Sequence, residues 1–248
     1  MFMRLVQAKY DPAALMVIRQ IYEDKIIPQL QKMRGCLFAC LIKSEVDPEE
    51  GLSLTLWDTQ ESAESYVNSG MFQVMVEQIK PYLQVSTEWK VQLSKEMKLE
   101  YKPVAEEPIV TSYRTMAQLD EKIPRELMYL RLLSLKIQPG RMEEFVDIYQ
   151  QEILPHLKTV KGCRYAYLTT STEQKNEAIS ITIWNSKQEV EEYENSGIFK
   201  AFLDKAQSTF SDLYQWKIAL ENDHSGQVVT SEDPALKYYS IVAGKSFR

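Results

Sequence analysis

The chain repeats itself without a gap. Tyr22 and Tyr149, Pro28 and Pro155, Gly35 and Gly162, Cys36 and Cys163 all stand 127 positions apart. The same offset joins Trp57 to Trp184, Asn68 to Asn195, Phe72 to Phe199 and Trp89 to Trp216, and about 30% of the positions from 1 to 93 are identical in the second copy. A unit of this length exceeds the roughly 20–50 residues of a solenoid repeat and matches a small domain. The 248 residues are therefore two homologous domains in tandem, and any fold must be one that can be built twice.

Both copies read alike. A first strand ("FMRLVQAKY", "YLRLLSLKI") stops at Asp11-Pro12 or Pro139-Gly140, which are turn formers. A helix follows with apolar residues on one face, Leu15, Ile18, Ile21 and Tyr22 in one copy and Met142, Phe145, Ile148 and Tyr149 in the other. Pro28 and Pro155 remove a backbone bond near its end and predict a kink there; Gly35 and Gly162 stop it. Strands two ("CLFACLI", "CRYAYLT") and three ("LSLTLW", "ISITIW") come next. Asp58-Thr-Gln-Glu61 and Ser186-Lys-Gln-Glu189 resemble capping boxes opening a second helix. Asn68-Ser69-Gly70 and Asn195-Ser196-Gly197 interrupt that helix with turn chemistry, and Phe72 or Phe199 resumes its apolar face. A last strand is expected near Trp89–Leu93 and Trp216–Leu220. The order is βαββαβ, the ferredoxin-like arrangement.

A second echo lies beyond the repeat. "EPIVTSYRTM" at 107–116 is matched by "DPALKYYSIV" at 233–242, so each copy owns an extended arm that can pair with a sheet edge of the other copy and cover it. The expected division is a first domain with its arm at 1–116, a connector at 117–127 and a second domain with its arm at 128–248.

Strand three carries the clearest hint of a site. Its pleat puts Leu52, Leu54, Leu56 and Ile179, Ile181, Ile183 on one face, and Ser53, Thr55, Trp57 and Ser180, Thr182, Trp184 on the other. Helices need an apolar partner, so the aliphatic face is expected beneath them. If the two sheets then stack, the hydroxyls and indoles line a shared interior of the kind that holds small molecules. The competing reading makes Trp57 and Trp184 plain packing residues of that interface.

A net charge of −6 and a pI near 5.2 speak against nucleic acid, which needs a basic surface. No apolar run reaches the length of a membrane span, and the first residues lack the features of a secretory signal. Cys36, Cys40 and Cys163 make neither an even disulfide set nor a metal-binding spacing; the expectation is a reduced, cytoplasmic protein without a metal. The carboxylate runs Glu49-Glu50, Glu143-Glu144 and Glu189 to Glu192 read as solvated faces.

Gly-Cys opening strand two, Trp closing strand three, and the pattern W-x(8)-Y-x-x-S-x-x-F that follows it, in Trp57, Tyr66, Ser69, Phe72 and again in Trp184, Tyr193, Ser196, Phe199, resemble the antibiotic biosynthesis monooxygenase family of dimeric α+β barrels. The resemblance covers both repeats. It implies an intramolecular pseudo-dimer, able to pair further as a homodimer, with one pocket per copy between sheet and helices. It also implies an activity: cofactor-independent oxidation of a small aromatic or polycyclic substrate. One branch carries an Asn four residues before the strand-three Trp; here Ser53 and Ser180 stand there, with Tyr66 and Tyr193 as further catalytic candidates and Trp57, Trp184, Thr55 and Thr182 as substrate-binding ones. A heme-degrading branch needs a His where this chain has Val76 and Leu203, and neither can bind iron. Of the histidines, His156 and His224 lie elsewhere. The rival to an enzyme is a non-catalytic binding or stress-response module of the same fold.

Overall fold

The computed structural model describes residues 1–93, 99–105, 109–118, 129–172, 175–223, 229–230 and 233–247. The first copy runs β1 (Phe2–Lys9), α1 (Leu15–Ile21), α2 (Ile27–Lys32), β2 (Cys36–Ser44), β3 (Glu50–Trp57), α3 (Gln60–Asn68), α4 (Met71–Ile79), β4 (Val85–Leu93), β5 (Leu99–Ala105) and β6 (Ile109–Gln118). The second runs β7 (Tyr129–Lys136), α5 (Met142–Ile148), α6 (Leu154–Leu157), β8 (Cys163–Ser171), β9 (Glu177–Trp184), α7 (Lys187–Asn195), α8 (Ile198–Ala206), α9 (Asp212–Asp223) and β10 (Ala235–Ser246).

Eight strands close into one antiparallel barrel in the order β1-β3-β2-β10-β7-β9-β8-β6. The arms make the closure. β6 pairs with β1 of its own copy and with β8 of the other, and β10 pairs with β7 and with β2. Each copy thereby donates the strand that joins it to its twin, and the barrel keeps no open edge. The connector expected at 117–127 falls, from 119 onward, outside the described residues, as does His224.

The strand faces are the reverse of the expectation. Leu52, Leu54 and Leu56 meet Ile179, Ile181 and Ile183 inside the barrel, with Met3, Leu5, Leu130 and Leu132. Trp57 and Trp184 point outward among the helices, each fully buried there. An eight-stranded barrel is just wide enough for side chains to fill it. Branched aliphatic residues therefore belong inside, and the hydroxyls and indoles go to the helix side. The shared interior is a core, and space is left between each sheet and its own helices.

The first helix of each copy passes through a π turn, at Tyr22–Ile26 and Tyr149–Ile153, that ends two residues before its proline. The N–H of Ile27 donates to the carbonyl of Tyr22, five residues back, which lets the helix continue past a proline that has no N–H to give. Asn-Ser-Gly does break the second helix: Gly70 and Gly197 adopt left-handed φ of 76° and 79°, separating α3 from α4 and α7 from α8. The expected N-cap holds in the second copy, where Ser186 accepts from the N–H of Glu189; in the first copy the cap is Thr59 and not Asp58, accepting from Ser62.

One expected element differs outright. Val85–Leu93 is a strand, but it pairs with β5 in a separate two-stranded sheet. Its counterpart around Trp216–Leu220 lies within α9. The hydroxyl of Ser211 accepts from the N–H of Tyr214 and Asp212 occupies the first turn, both favourable at a helix N-terminus. The first copy has Gln84 and Val85 at those two positions.

Candidate functional site

Two cavities lie between sheet and helices, one per copy. The first, about 80 Å³ in volume, is walled by alternate residues of β1 and β3 (Arg4, Val6, Ala8, Ser53, Thr55), by Ile18, Tyr22 and Ile26 of the first helical run, and by Tyr66, Phe72, Met75 and Val76 of α3 and α4. The period-two pleat delivers the strand residues, since positions 4, 6 and 8 share a face. The second cavity is about 30 Å³ and is lined by the matching set: Arg131, Ser180, Thr182, Tyr149, Tyr193, Phe199 and Leu203, with Phe145, Phe202 and Phe210.

Larger side chains fill the second cavity at several lining positions: Val6 and Ala8 of the first copy correspond to Leu133 and Leu135 of the second. Ile18, Met75 and Leu83 of the first copy correspond to Phe145, Phe202 and Phe210 of the second. The latter three are buried, and Phe145 packs on Phe210 with ring centroids 6.2 Å apart. Larger rings occupy volume that the first copy leaves open.

Polar groups converge in the same way in each cavity. Tyr22 and Ser53 share a hydrogen bond of 2.9 Å between hydroxyls, and Tyr149 and Ser180 one of 3.0 Å. The Trp57 Nε1–H donates to Thr55 Oγ1 at 2.9 Å, and Trp184 to Thr182 at 2.8 Å. Tyr66 stacks on Trp57 with centroids 5.1 Å apart and donates its hydroxyl to Met75 Sδ at 3.3 Å. Burial, the largest cause, pushes the Tyr22, Tyr66, Tyr149 and Tyr193 hydroxyls up, while Arg4 and Arg131 pull Tyr66 and Tyr193 partly back. These tyrosines stay protonated at neutral pH, and within the Tyr22–Ser53 and Tyr149–Ser180 pairs either hydroxyl can be the donor. No His, Asp or Glu is among the described residues lining the first cavity.

Of the residues singled out from sequence, Ser53, Thr55 and Tyr66 meet in the first cavity, and Ser180, Thr182 and Tyr193 in the second. Trp57 and Trp184 line neither. They sit behind Tyr66 and Tyr193 with no exposed surface, so the geometry gives them contact with those rings rather than with a cavity occupant. Val76 and Leu203 do face the cavities, and both are aliphatic. Sequence reasoning missed the two arginines and the hydroxyl role of Tyr22 and Tyr149. The available signal was Arg4 and Arg131 recurring within otherwise apolar strands at the repeat offset.

The arginines are where the copies part. Arg131 is 2% exposed and pairs through Nε with Glu194 Oε1 at 2.7 Å, while Tyr238 donates to the same carboxylate at 2.8 and 3.0 Å; its Nη2 has no acceptor among the described residues. Arg4 is 5% exposed. Its guanidinium lies 5.5 Å from the Tyr66 ring centroid and 4.7 Å from that of Phe72, and burial lowers its pKa. The position of Glu194 is Val67 in the first copy, and no carboxylate among the described residues pairs with Arg4.

The antibiotic biosynthesis monooxygenase family model matches residues 1–78 and again 128–205. No curated protein matches by sequence. Among solved structures, a candidate monooxygenase from Lactobacillus acidophilus superposes with a TM-score of 0.67 at 8% identity, covering 99% of this chain and 96% of its own. One from Fusobacterium nucleatum gives 0.67 at 10%, covering 99% and 94%. An anthrone oxidase-like protein gives 0.61 at 13%, covering 99% and 93%. At such identities the likeness is one of fold.

Proposed function

The chain belongs to the antibiotic biosynthesis monooxygenase family in both of its copies, and from that premise we propose that it oxidises a small, flat aromatic compound with dioxygen and no cofactor. The observation that carries this reading is the first cavity. Its walls are mostly apolar and offer a few fixed hydroxyls and one cation, the usual make-up of a small-molecule site.

In such a reaction the substrate supplies the electrons. An activated methylene gives up a proton to bulk water before it enters the cavity, the resulting carbanion reduces dioxygen, and the methylene becomes a carbonyl. One oxygen atom enters the product and the other leaves as water, so CH2 and O2 give C=O and H2O. The chain's own part is to exclude water, to orient the ring and to stabilise the developing oxyanion. Ser53 and Tyr22, joined at 2.9 Å, are placed to share a proton donor toward that oxygen, with Tyr66 along the wall; Ser180 and Tyr193 hold the matching positions in the second copy. Trp57 and Thr55, with Trp184 and Thr182, would act by fixing that wall.

Oxygen uptake with anthrone- and quinol-type compounds tests the proposal. One O2 consumed per carbonyl formed is expected, falling at least tenfold in Ser53→Ala. Tight binding with no uptake would replace the enzyme by a binding module of the same fold. That second reading has its own support, since no carboxylate or imidazole is among the described residues lining the first cavity to take a proton. The three cysteines are free thiols, which fits a reducing, cytoplasmic setting. A further homodimer would leave both cavities intact, since each is built within one copy.

A further inference from the structure

We propose that only the first copy is a ligand site, that its ligand is an organic anion, and that Arg4 is the counter-ion; the second copy has been closed by its own side chains. The proposal rests on the cavity reading above but does not need the oxidation to occur.

The two copies treat the same buried cation differently. Both place an arginine at the same register of the first strand, over the same pair of aromatic rings. In the second copy Glu194 neutralises that cation, with Tyr238 holding the carboxylate. In the first copy the carboxylate is gone, replaced by Val67, and Arg4 remains 5% exposed on the cavity wall. A guanidinium cannot shed its proton to escape burial. A buried charge without a partner is costly, and the two rings supply only a cation–π contribution. An anion entering the cavity would complete the site, as Glu194 does for its twin.

Size points the same way. The three phenylalanines, with Leu133 and Leu135 in place of Val6 and Ala8, leave the second cavity about 30 Å³, against about 80 Å³ in the first. The first cavity therefore offers more room for a small aromatic acid than the second. Apolar walls from Ile18, Met75 and Val76 suit the ring, and Arg4 suits a carboxylate, phenolate or enolate at its edge. A fork of N–H donors favours a planar oxyanion over a point charge.

Calorimetric titration with acid and amide pairs of rising size tests the proposal: benzoate and benzamide, 2-naphthoate and 2-naphthamide, anthracene-2-carboxylate and its amide. The expected result is one site per chain and at least tenfold tighter binding of the acid in the pair that fits. Two variants should abolish the preference. Arg4→Gln removes the cation, and Val67→Glu supplies the carboxylate that the second copy carries. If Arg4→Gln does not fold, Val67→Glu, at a 39% exposed position, still decides. Two sites per chain, equal affinity for acid and amide, or a preference that survives Val67→Glu would overturn the proposal. Binding of none of the six compounds would overturn it together with the cavity reading, whereas selective acid binding without oxygen uptake from any anthrone would remove the oxidase alone.

Discussion

The side chains that make the cavity wall also hold the domain together, and this decides which substitutions are informative. Trp57 has no exposed surface and bonds Thr55 through its indole N–H. Trp57→Ala should cost about 3–5 kcal/mol, read from urea unfolding, so lost activity in that variant would say little about chemistry. Ser53→Ala leaves the Tyr22 hydroxyl buried without its partner and should cost about 1–3 kcal/mol, leaving a folded protein at moderate temperature. Burial also sets a pH response. It pushes the Cys36 thiol up to about 12 and raises Cys40 and Tyr22 as well, whereas unfolded Cys and Tyr titrate at about 8.5 and 10. Below pH about 8.5 both states keep these protons. Above it the unfolded chain releases them first, so stability should fall steadily from there toward pH 12. Urea midpoints at pH 7.5, 9 and 10 would reveal it, and a flat profile would show these groups are not buried as described. Ser53, Thr55 and Tyr66 were legible as cavity-lining candidates, the first two from the strand period and Tyr66 from the repeated motif, although the period put that strand face in the barrel interior and not under the helices. Arg4 was not, because its significance lies in a missing partner on another element.

At the scale of elements, the repeat made the βαββα part of each copy plain, because glycine, proline and capping residues recur at the same offset. What it could not settle was strand facing. Both faces of β3 are suited to burial, one aliphatic and one bearing Trp, so polarity alone left the choice to barrel closure. Nor did it separate β4 from α9. Three of five residues agree between Trp89–Leu93 and Trp216–Leu220, yet the flanking Ser211 and Asp212 start a helix in one copy only. The glycines allow a sharper test. Gly35 and Gly70 both have φ near 80°, and a side chain in that region costs about 1–2 kcal/mol. A Cβ on Gly70 would touch nothing, while one on Gly35 would lie 2.3 Å from Asp58 Oδ1 and 2.4 Å from Ser62 Oγ. Gly70→Ala should therefore lose about 1–2 kcal/mol and Gly35→Ala clearly more, measured by denaturant midpoints. Equal losses would mean that the start of α3 can move aside freely.

For the whole molecule the decisive feature is the crossing of the arms. The two copies meet at two seams, β6 on β8 and β10 on β2, and around the filled interior to which both contribute. Glu50, expected on a solvated face, is instead 8% exposed and accepts from Tyr239 and Lys237 across the second seam. Neither half can satisfy its edge strands or cover Leu52, Leu54 and Leu56 alone, and an exposed apolar sheet of that kind associates or aggregates. Residues 1–118 and 129–248 produced together should co-purify as a one-to-one complex with a single cooperative unfolding transition, and each produced alone should self-associate or fail to stay in solution. The helix-side cavities are built within a copy, so the reassembled pair should keep the preference for acid over amide. Two halves that remain separate, well-folded monomers would show that closure by the arms contributes little, and that the barrel interior is not what the tandem arrangement exists to make.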